Sequence, residues 1–434
     1  MELRASEVAR VTGGTLVGDD AVFSAVSIDS RTTAPDSLFV ALRAGRDGHE
    51  FVADAVAAGA TGCLCDHPVE APVSIVVPDT AVALRELGAY ARGHLADRVV
   101  GITGSVGKTS TKDLAASVLR TRYATWANQR SFNNELGVPL TLLGAPSDTE
   151  ATVVEMGMAG FGHIAELCSV ARPTVGVVTA VALVHTSAVG DLDGVQRAKQ
   201  ELVEHLPADG YAVLNADDPR VAAMASATDA RVVLFGSGAH VGFENVTLSD
   251  DLRPRFRLVS DWGSETVEVA ARGVHQVHNA LAAAAVGLLW GVDLAGVAAG
   301  LAAAELSPWR MDMAHAPSGA LIINDAYNAK PTATEAALRS LAVVPAHRHI
   351  AALGTMADLG VHSDAEHRRI AEVAAALGVR LVAVGEPAYG ATENAIDPDH
   401  AVEVLGPLGS GDAVLVKASR SAGLERLAAA LVAD

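Results

Sequence analysis

The chain has 434 residues, of which 50% are hydrophobic and 19% are charged, and its formal net charge is −19. This composition excludes a disordered protein, and the length predicts two or three domains rather than a single core. The acidic balance argues against a nucleic acid or an anionic membrane as partner, so a phosphate-bearing ligand must meet positive charge inside a cleft.

The cysteines and the apolar segments indicate the compartment. Cys63, Cys65 and Cys168 form no Cys-x-x-Cys pair, which favours buried thiols in a reducing compartment over disulfides or a zinc site. The first residues lack the apolar core of a signal peptide, and the longest apolar run, 280–290, is too short to cross a bilayer. We therefore predict a cytoplasmic protein without membrane insertion.

Residues 1–97 are predicted to form a small α/β domain, because short strands alternate with a helical pattern at 52–59. Polar residues that fall on its turns are Ser30, Arg31, Arg43, Arg46 and His49. They form either a basic cluster for an anionic substrate or separate solvated side chains, and composition does not decide between the two. A helical pattern at 81–96 leads to the next domain.

A strand, a glycine-rich turn and a helix start follow one another, and the turn at 101–110 reads GITGSVGKTS. Glycines let the backbone wrap an anion, the helix N-terminus faces it, and Lys108 adds a mobile positive charge. Thr109 offers a hydroxyl to Mg²⁺. Ile102 stands where a strict phosphate loop has glycine, so a tight turn with a chance Gly-Lys-Thr is the alternative. The flanking strand and helix favour an ATP site.

Two further segments of the central region carry candidate groups. Glu155 ends an apolar strand at 152–157, where it is placed either to ligate Mg²⁺ or to cap a turn. A strand at 174–180 runs toward His185, and a helix from Gly194 carries Lys199. Taken alone, these two residues are more typical of a structural histidine and a solvated lysine.

Other patterns fill the rest of this region. The polar stretch 128–139 is either a functional loop or a solvated linker. Residues 212–219 form a strand with a polar turn, and the alternation at 232–270 predicts an antiparallel sheet. Residues 273–279 open an alanine-rich helix at 280–290.

The last part of the chain predicts a parallel, doubly wound sheet. After a hinge at 307–310, a strand at 320–325 precedes a helix near Thr332. Further strands and helices follow at 350–354, 364–377, 379–385, 413–417 and 421–432. The glycine fingerprint of a complete dinucleotide site is missing, so we predict a second half-site for the nucleotide.

These motifs together resemble the Mur ligase family of ATP-dependent peptidoglycan amide ligases, over nearly the whole chain. The stretches that carry the resemblance lie at 103–109, 133–143, 325–331 and 353–360. The resemblance implies an α/β protein of three domains. These are an N-terminal domain at 1–97 that binds the UDP substrate, a P-loop ATPase-type domain at 98–306 and a Rossmann-like domain at 307–434.

The resemblance also implies roles for particular residues. ATP-binding positions are Gly104, Ser105, Gly107, Lys108, Thr109, Ser110, Asn279, Arg310 and Asp325, with the last three on adenine, phosphate and ribose. Metal positions are Thr109, Glu155, His185 and Lys199, the lysine once it is carbamylated. Lys108, Lys199 and His185 are the implied catalytic residues. Substrate positions are Ser30, Arg31, Asn133, Asn134, Tyr327 and Asn328.

Within the family, the chain most resembles members that add D-Ala-D-Ala to UDP-N-acetylmuramoyl-tripeptide through an acyl phosphate, with ATP and Mg²⁺ as cofactors and a monomeric enzyme. A ligase that joins a different acid and amine is a second hypothesis, and a non-enzymatic nucleotide-binding protein is a third. The joint presence of Lys108, Thr109, Glu155, His185 and Lys199 favours an enzyme.

The sequence departs from the family pattern in several places. The substituted positions are Gln276, His278, Trp309, Lys330 and Ala418, and the segment around His185 lacks its usual neighbours. None of them removes an ATP or metal position. Lys330 adds a charge near where the family places the incoming dipeptide, and neutral drift is favoured there over altered specificity.

Overall fold

The computed structural model describes residues 1–43, 45–129, 131–184 and 186–433. In this part of the chain the three larger sheets follow one another along the sequence, and helices lie among their strands. The fold class is therefore α/β, as predicted.

A small α/β unit forms the start of the chain. Its strands are β1 (Leu3–Arg4), β2 (Thr15–Val17), β3 (Val22–Phe23), β4 (Ala25–Ser27), β5 (Ser37–Val40), β6 (Ala60–Cys65) and β7 (Ser74–Val76). Its helices are α1 (Ala5–Thr12), α2 (Val52–Ala57) and α3 (Thr80–Arg92), with 3₁₀ turns at Ser30–Thr32 and Gly48–Phe51. The main sheet has the order β2-β7-β6-β5-β4, in which β4, β5, β6 and β7 run parallel.

The central unit is built around a larger sheet. Its strands are β8 (Val99–Thr103), β9 (Thr125–Ala127), β10 (Ala151–Glu155), β11 (Val175–Val178), β12 (Tyr211–Asn215), β13 (Arg231–Phe235), β14 (Val241–Leu248), β15 (Pro254–Ser260) and β16 (Gly263–Glu268). Its helices are α4 (Lys108–Arg120), α5 (Gly137–Leu143), α6 (His163–Ala171), α7 (Thr186–Val189), α8 (Leu192–Glu204), α9 (Pro219–Ala223), α10 (Gln276–Leu289) and α11 (Leu294–Ala302), with a 3₁₀ turn at Met224–Ala227.

The strand order of this sheet places the phosphate loop at its centre. The order is β16-β15-β14-β13-β12-β11-β8-β10-β9, so β8 lies between β11 and β10 and runs parallel to both. These three strands are buried along their whole length because helices cover both faces of the sheet. Side chains that follow β8, β10 and β11 therefore meet at one edge of the sheet.

The C-terminal unit carries the third main sheet. Its strands are β17 (Asp312–His315), β18 (Leu321–Asn324), β19 (Arg348–Leu353), β20 (Arg380–Val384), β21 (Glu393–Ala395) and β22 (Asp412–Lys417). Its helices are α12 (Pro331–Ala342), α13 (Ser363–Ala376), α14 (Pro398–Leu405) and α15 (Glu425–Ala433), with 3₁₀ turns at Gly360–His362, Pro387–Tyr389 and Arg420–Ala422. The order is β17-β18-β22-β19-β20-β21, parallel except for β17. Apolar side chains cover both faces of this sheet.

One expectation about the central sheet is partly wrong. The alternation at 232–270 predicts antiparallel strands, and β14, β15 and β16 do form an antiparallel meander. However, β13 pairs parallel with β12, because α9 and the turn after it return the chain to the same end of the sheet. The residues of the short strand β13 do not by themselves indicate whether it pairs parallel or antiparallel with its neighbour.

The sheets change between Val76 and Val99 and again between Glu268 and Asp312. The domain limits predicted at 97/98 and 306/307 fall within these two intervals and stay a prediction. Among the described residues, the helices are all too short or too polar to span a bilayer.

Candidate active site

The phosphate loop is shaped by close contacts at two glycines. Gly104 and Gly107 have φ values of +150° and +85°, which side-chain-bearing residues rarely adopt. A Cβ on Gly104 would lie 1.8 Å from Thr179 Oγ1, and one on Gly107 would lie 2.4 Å from Asn279 Oδ1. Loop residue Ser105 also donates its backbone N–H to Ala180 O at 2.8 Å. The loop is therefore held by the segments after β11 and at the start of α10.

Lys108 lies at the first position of α4 and folds back over the loop. Its Nζ donates a hydrogen bond to Gly104 O at 2.7 Å. Burial lowers the pKa of Lys108, and the neighbouring carboxylate of Glu155 opposes that shift. An anion that entered the loop would favour the charged form of the lysine further.

Thr109 and Glu155 meet as buried oxygen donors at the edge of the sheet. Thr109 Oγ1 donates to Glu155 Oε2 at 2.7 Å, and Asn133 Nδ2 donates to Glu155 Oε1 at 2.6 Å. From the C-terminal side, Arg310 Nη2 donates to Thr109 Oγ1 at 2.8 Å. Glu155 is thus part of this polar cluster and does not cap a turn.

The polar stretch 128–139 supports this cluster. Asn128 Oδ1 accepts the backbone N–H of Glu155 at 2.9 Å, and Lys112 Nζ donates to Asn128 O at 2.8 Å. Asn134 Oδ1 accepts the N–H of Gly137, the first residue of α5. The described residues of this stretch therefore hold the backbone of Glu155 and lead into α5, which favours the functional loop over the solvated linker.

Lys199 is buried in α8, with 2% of its surface exposed, so its interpretation as a solvated lysine is wrong. In the described part of the chain, its Nζ has Met158 Sδ as hydrogen-bond partner, at 3.8 Å. Burial, reinforced by the charge of Lys108, lowers the pKa of Lys199 well below its ordinary value. The neutral amine is the form that reacts with CO₂ to give a carbamate.

The C-terminal unit closes the opposite side of the site. Lys417 Nζ donates to Asp325 Oδ2 and, at 2.8 Å, to Asn328 O. The guanidinium of Arg310 stacks on the ring of Tyr327, 4.4 Å from its centroid. These contacts hold Asp325, Tyr327 and Asn328 around Arg310, the residue that donates to Thr109.

These groups line one cavity of about 1090 Å³ between the central and C-terminal units. The predicted site residues among its lining are Ser105, Gly107, Lys108, Thr109, Ser110, Asn133, Asn134, Glu155, Lys199, Asn279, Arg310, Asp325, Tyr327 and Asn328. Gly104 shapes the loop from behind, through Thr179. The predicted metal ligand His185 lies outside the described residues.

Ser30 and Arg31 lie elsewhere, in a 3₁₀ turn of the first unit. Arg31 forms an ion pair with Asp29 at 2.6 Å, which holds the pKa of that carboxyl down at about 2. Arg43 likewise pairs with Asp47 and Asp66. Carboxylates thus neutralise Arg31 and Arg43, whereas the guanidinium of Arg46 lies over the ring of Phe51 at 4.7 Å from its centroid. Both interpretations, a basic cluster for an anionic substrate and separate solvated side chains, stay predictions.

Several cavity residues were missed by the sequence analysis. Thr179 donates its hydroxyl to Val106 O at 2.6 Å, and His278 Nε2 lies 2.7 Å from Asp217 Oδ2. Lys417, paired with Asp325, is also among them. The available signal was a polar residue at the end of a buried strand, which Thr179, Asp217 and Lys417 share.

The substituted positions are accommodated locally. Lys330 is 5% exposed and its Nζ donates to Asp358 Oδ2 at 2.9 Å, so its charge is paired. Gln276 Oε1 accepts from Asn279 Nδ2 at 2.7 Å and thus orients that amide. Trp309 has a φ of +61° and its ring stacks against Arg420, 4.3 Å from the guanidinium carbon. Ala418 is buried next to Gly354.

The donor set of the cluster fits Mg²⁺, which prefers hydroxyl and carboxylate oxygens to nitrogen. Thr109 Oγ1 and Glu155 Oε2 are in direct contact and almost fully buried, beside the loop that would hold the phosphates. A cation between them would meet two protein oxygens and the oxygens of a nucleotide.

Comparison with known proteins places the chain among enzymes of one family. Residues 102–287 match the Mur ligase middle domain, and residues 309–433 match the Mur ligase, glutamate ligase domain. The UDP-N-acetylmuramoyl-tripeptide–D-alanyl-D-alanine ligase of Mycobacterium leprae is 38% identical, over 100% of this chain and 99% of that protein. The Escherichia coli enzyme of the same name is 34% identical, over 98% of this chain and 97% of that protein.

Solved structures agree with this similarity. MurF from Acinetobacter baumannii superposes with a TM-score of 0.91 at 30% identity, covering 100% of this chain and 99% of that one. MurF from Thermotoga maritima in complex with ADP has a TM-score of 0.81 at 26% identity, covering 93% and 96%. The chain therefore belongs to the Mur ligase family, and within it to the MurF group.

Proposed function

We propose that this chain is an ATP-dependent amide ligase that adds D-Ala-D-Ala to UDP-N-acetylmuramoyl-tripeptide in peptidoglycan precursor synthesis. The observation that carries the proposal is the single cavity that holds Lys108, the Thr109–Glu155 pair, Lys199 and Arg310. The names of the full-length relatives support the identity of the acid and of the amine.

The reaction joins a carboxylate to an amine in two transfers. The peptide carboxylate attacks the γ-phosphorus of ATP, so that an acyl phosphate forms and ADP leaves. The amine of D-Ala-D-Ala then attacks the acyl carbon, inorganic phosphate leaves with the bonding electron pair, and the amine loses a proton. No protein nucleophile takes part, so the chain's task is to position the substrates and to stabilise charge.

Different residues of the cavity would stabilise the charge that develops during the phosphoryl transfer. Lys108 and Arg310 offer positive charge to the transferring phosphoryl group, and the loop at 104–110 offers backbone N–H groups. Mg²⁺, held by Thr109 and Glu155, would supply further charge stabilisation. A carbamate on Lys199 would turn a buried amine into an anionic oxygen ligand. We predict that His185 and this carbamate would bind a second Mg²⁺, apart from the one at Thr109 and Glu155.

The rest of the assignment extends this proposal. Asn279 and Asp325 would hold the adenosine, while Asn133, Asn134, Tyr327 and Asn328 would face the peptide and the dipeptide. Ser30 and Arg31, outside the cavity, would bind the UDP moiety in a domain at 1–97. Domains at 98–306 and 307–434 would close on the cavity and exclude the water that hydrolyses an acyl phosphate. A monomeric state and a cytoplasmic location stay predictions.

A coupled ADP-release assay tests the proposal. We expect sustained turnover with ATP, Mg²⁺, UDP-N-acetylmuramoyl-tripeptide and D-Ala-D-Ala, and none when either the acid or the amine is omitted. Lys108→Ala should abolish turnover, while Arg231→Gln, outside the cavity, should leave it unchanged. Turnover with other acid–amine pairs but not with this one would support the alternative ligase, and no turnover of any pair would contradict both.

A further inference from the structure

Each oxygen of the Thr109–Glu155 pair is engaged by protein groups. Glu155 accepts one hydrogen bond on each carboxylate oxygen, from Thr109 and from Asn133. Thr109 Oγ1 donates its proton to Glu155 and accepts from the guanidinium of Arg310. The pair therefore has a charged neighbour on Thr109 and a neutral amide on Glu155.

The amide side is rigid and neutral. The backbone of Asn133 accepts the N–H of Gly157 at 2.8 Å, and a Cβ on Gly157 would lie 2.8 Å from Asn133 Oδ1. This packing fixes the Asn133 side chain on Glu155 Oε1 and leaves Oε2 facing Thr109. An amide in this place orients the carboxylate without opposing a cation, as residues that hydrogen-bond to metal ligands commonly do.

The guanidinium side is charged and only partly satisfied. Within the described residues, Arg310 Nε is buried without a hydrogen-bond partner. Arg310 also donates to Thr109 Oγ1, the hydroxyl oxygen that would ligate a divalent cation. A guanidinium and a divalent cation that share one oxygen repel each other, so each contact weakens the other.

We propose that Asn133 and Arg310 are positioning residues that act on the magnesium site in opposite directions. Asn133 holds Glu155 in ligating geometry and stays there when metal binds. The guanidinium of Arg310 contacts Thr109 until a metal ion binds there. The metal then displaces Arg310 from Thr109, and Arg310 can contact the nucleotide phosphates. This inference rests on the proposed function, because it takes Thr109 and Glu155 as the metal ligands.

Displacement of the Arg310 side chain would also affect the neighbouring Trp309. Trp309 and Met311, on either side of it, have φ values of +61° and +58°, and Trp309 stacks on Arg420. A shift of the Arg310 side chain therefore changes the surroundings of an indole that lies between the central and C-terminal units. Tryptophan fluorescence offers a second readout besides metal affinity.

The test measures binding of Mn²⁺, as a substitute for Mg²⁺, by electron paramagnetic resonance of the free ion, on the full chain without nucleotide. Glu155→Gln identifies the site, because its Mn²⁺ should be lost. Asn133→Ala should weaken that site about tenfold or more. Arg310→Gln should strengthen it about fivefold or more while it weakens binding of an ATP analogue.

Matched controls are Asn394→Ala and Arg231→Gln, which remove an amide and a positive charge outside the cavity and should leave Mn²⁺ binding unchanged. In the wild type, Mn²⁺ should alter Trp309 emission, and Trp309→Phe should abolish that change. If Asn133→Ala does not fold, the Mn²⁺ affinities of Asn133→Ser and Arg310→Gln test the inference in its place.

The outcomes separate this inference from the proposed function. Wild-type protein without a Glu155-dependent Mn²⁺ site would overturn both. Such a site with unchanged or weakened binding in Arg310→Gln would overturn only the inference. Opposite shifts in the two variants, with both controls unchanged, would support it.

Discussion

Gly107 shows how little space the phosphate loop leaves. Its backbone is left-handed, and Asn279 Oδ1 lies where a Cβ would be. The same amide oxygen accepts from Thr111 Oγ1 at 3.2 Å, so it cannot move away without the loss of a hydrogen bond. The glycine of the Gly-Lys-Thr motif is thus required by packing as well as by conformation.

Gly107→Ala should therefore lower both stability and nucleotide affinity. The left-handed conformation alone costs an alanine about 1–2 kcal/mol, and the clash with Asn279 adds to it. Gly378→Ala is the control, because Gly378 has a φ of +68° and open space around its Cβ position. Denaturant unfolding and ATP titration of both variants measure the difference. Equal losses in the two variants would contradict the packing argument.

Lys199 predicts a dependence of stability on pH. Its pKa is lowered in the folded chain, so below the ordinary value of 10.5 the unfolded chain binds more protons at this residue. Its contribution to the free energy of unfolding therefore falls as pH falls from that value. We expect Lys199→Met to be more stable than wild type at neutral pH in CO₂-free buffer, and the gap to close as pH approaches 10.5.

Urea unfolding at a series of pH values measures this gap, with Gln200→Met on the same helix as a control that should show none of this trend. A companion experiment with ¹³C-labelled bicarbonate tests the carbamate. We expect a carbamate carbon signal in wild type and its absence in Lys199→Met. A pH-independent gap would show that the buried amine is not the cause.

The Lys330–Asp358 pair predicts a coupled response. Lys330 is buried, whereas the Asp358 side chain is 51% exposed, so the loss of either partner should cost less than in a fully buried pair. We expect Lys330→Asn and Asp358→Asn to destabilise individually, and the double variant to recover about 1 kcal/mol. The KM for D-Ala-D-Ala should change little in Lys330→Asn. A large rise in that KM would mean that the lysine contacts the dipeptide.

At the scale of elements, the sequence predicts the central strands well, because they are apolar runs. It does not predict the short amphipathic helices and strands. Strands β8, β10 and β11 are buried on both faces, and so read as continuous apolar segments. Helix α1 and strand β21 were missed, because a run of eight residues or fewer carries too little periodicity. The direction of β13 depends on its connection to β12 and not on its own residues.

Helix α3, which joins the first unit to the central one, offers a test at this scale. Its N-cap Asp79 accepts hydrogen bonds from the N–H groups of Ala81 and Val82. Asp79→Ala should cost about 1 kcal/mol of stability, whereas Asp79→Asn, which keeps the cap, should cost little. Thermal unfolding measures both. Equal losses would mean that the charge, and not the cap, matters.

Across the whole molecule, the site joins groups that are far apart in the chain. The phosphate loop was recognisable because its residues are contiguous at 101–110. The pairing of Asp325 with Lys417 spans 92 residues and that of Arg310 with Thr109 spans 201, so no local pattern signals either. The resemblance named Arg310, Thr109 and Asp325, but neither Lys417 nor these two pairings. The pairings follow only from the meeting of the central and C-terminal units.

The arrangement of the units predicts where ligands protect the chain from hydrogen exchange. An ATP analogue should slow exchange at 104–110, 276–279 and 307–328, because these segments line or support the cavity. UDP should slow exchange at 27–33 and leave the cavity segments unchanged. Mass spectrometry of peptic fragments measures both effects. Protection by UDP confined to the cavity segments would contradict the assignment of Ser30 and Arg31.

The order of these segments along the chain also bears on synthesis. Strand β8 cannot take its place before β10 and β11 exist, and the loop after it needs Thr179 and Asn279 as supports. A nascent chain thus carries the phosphate motif for well over a hundred residues before its supports have left the ribosome. During that interval the growing polypeptide has the phosphate motif but neither the shape nor the later residues of the nucleotide site, so ATP can assist folding only after most of the protein has been made.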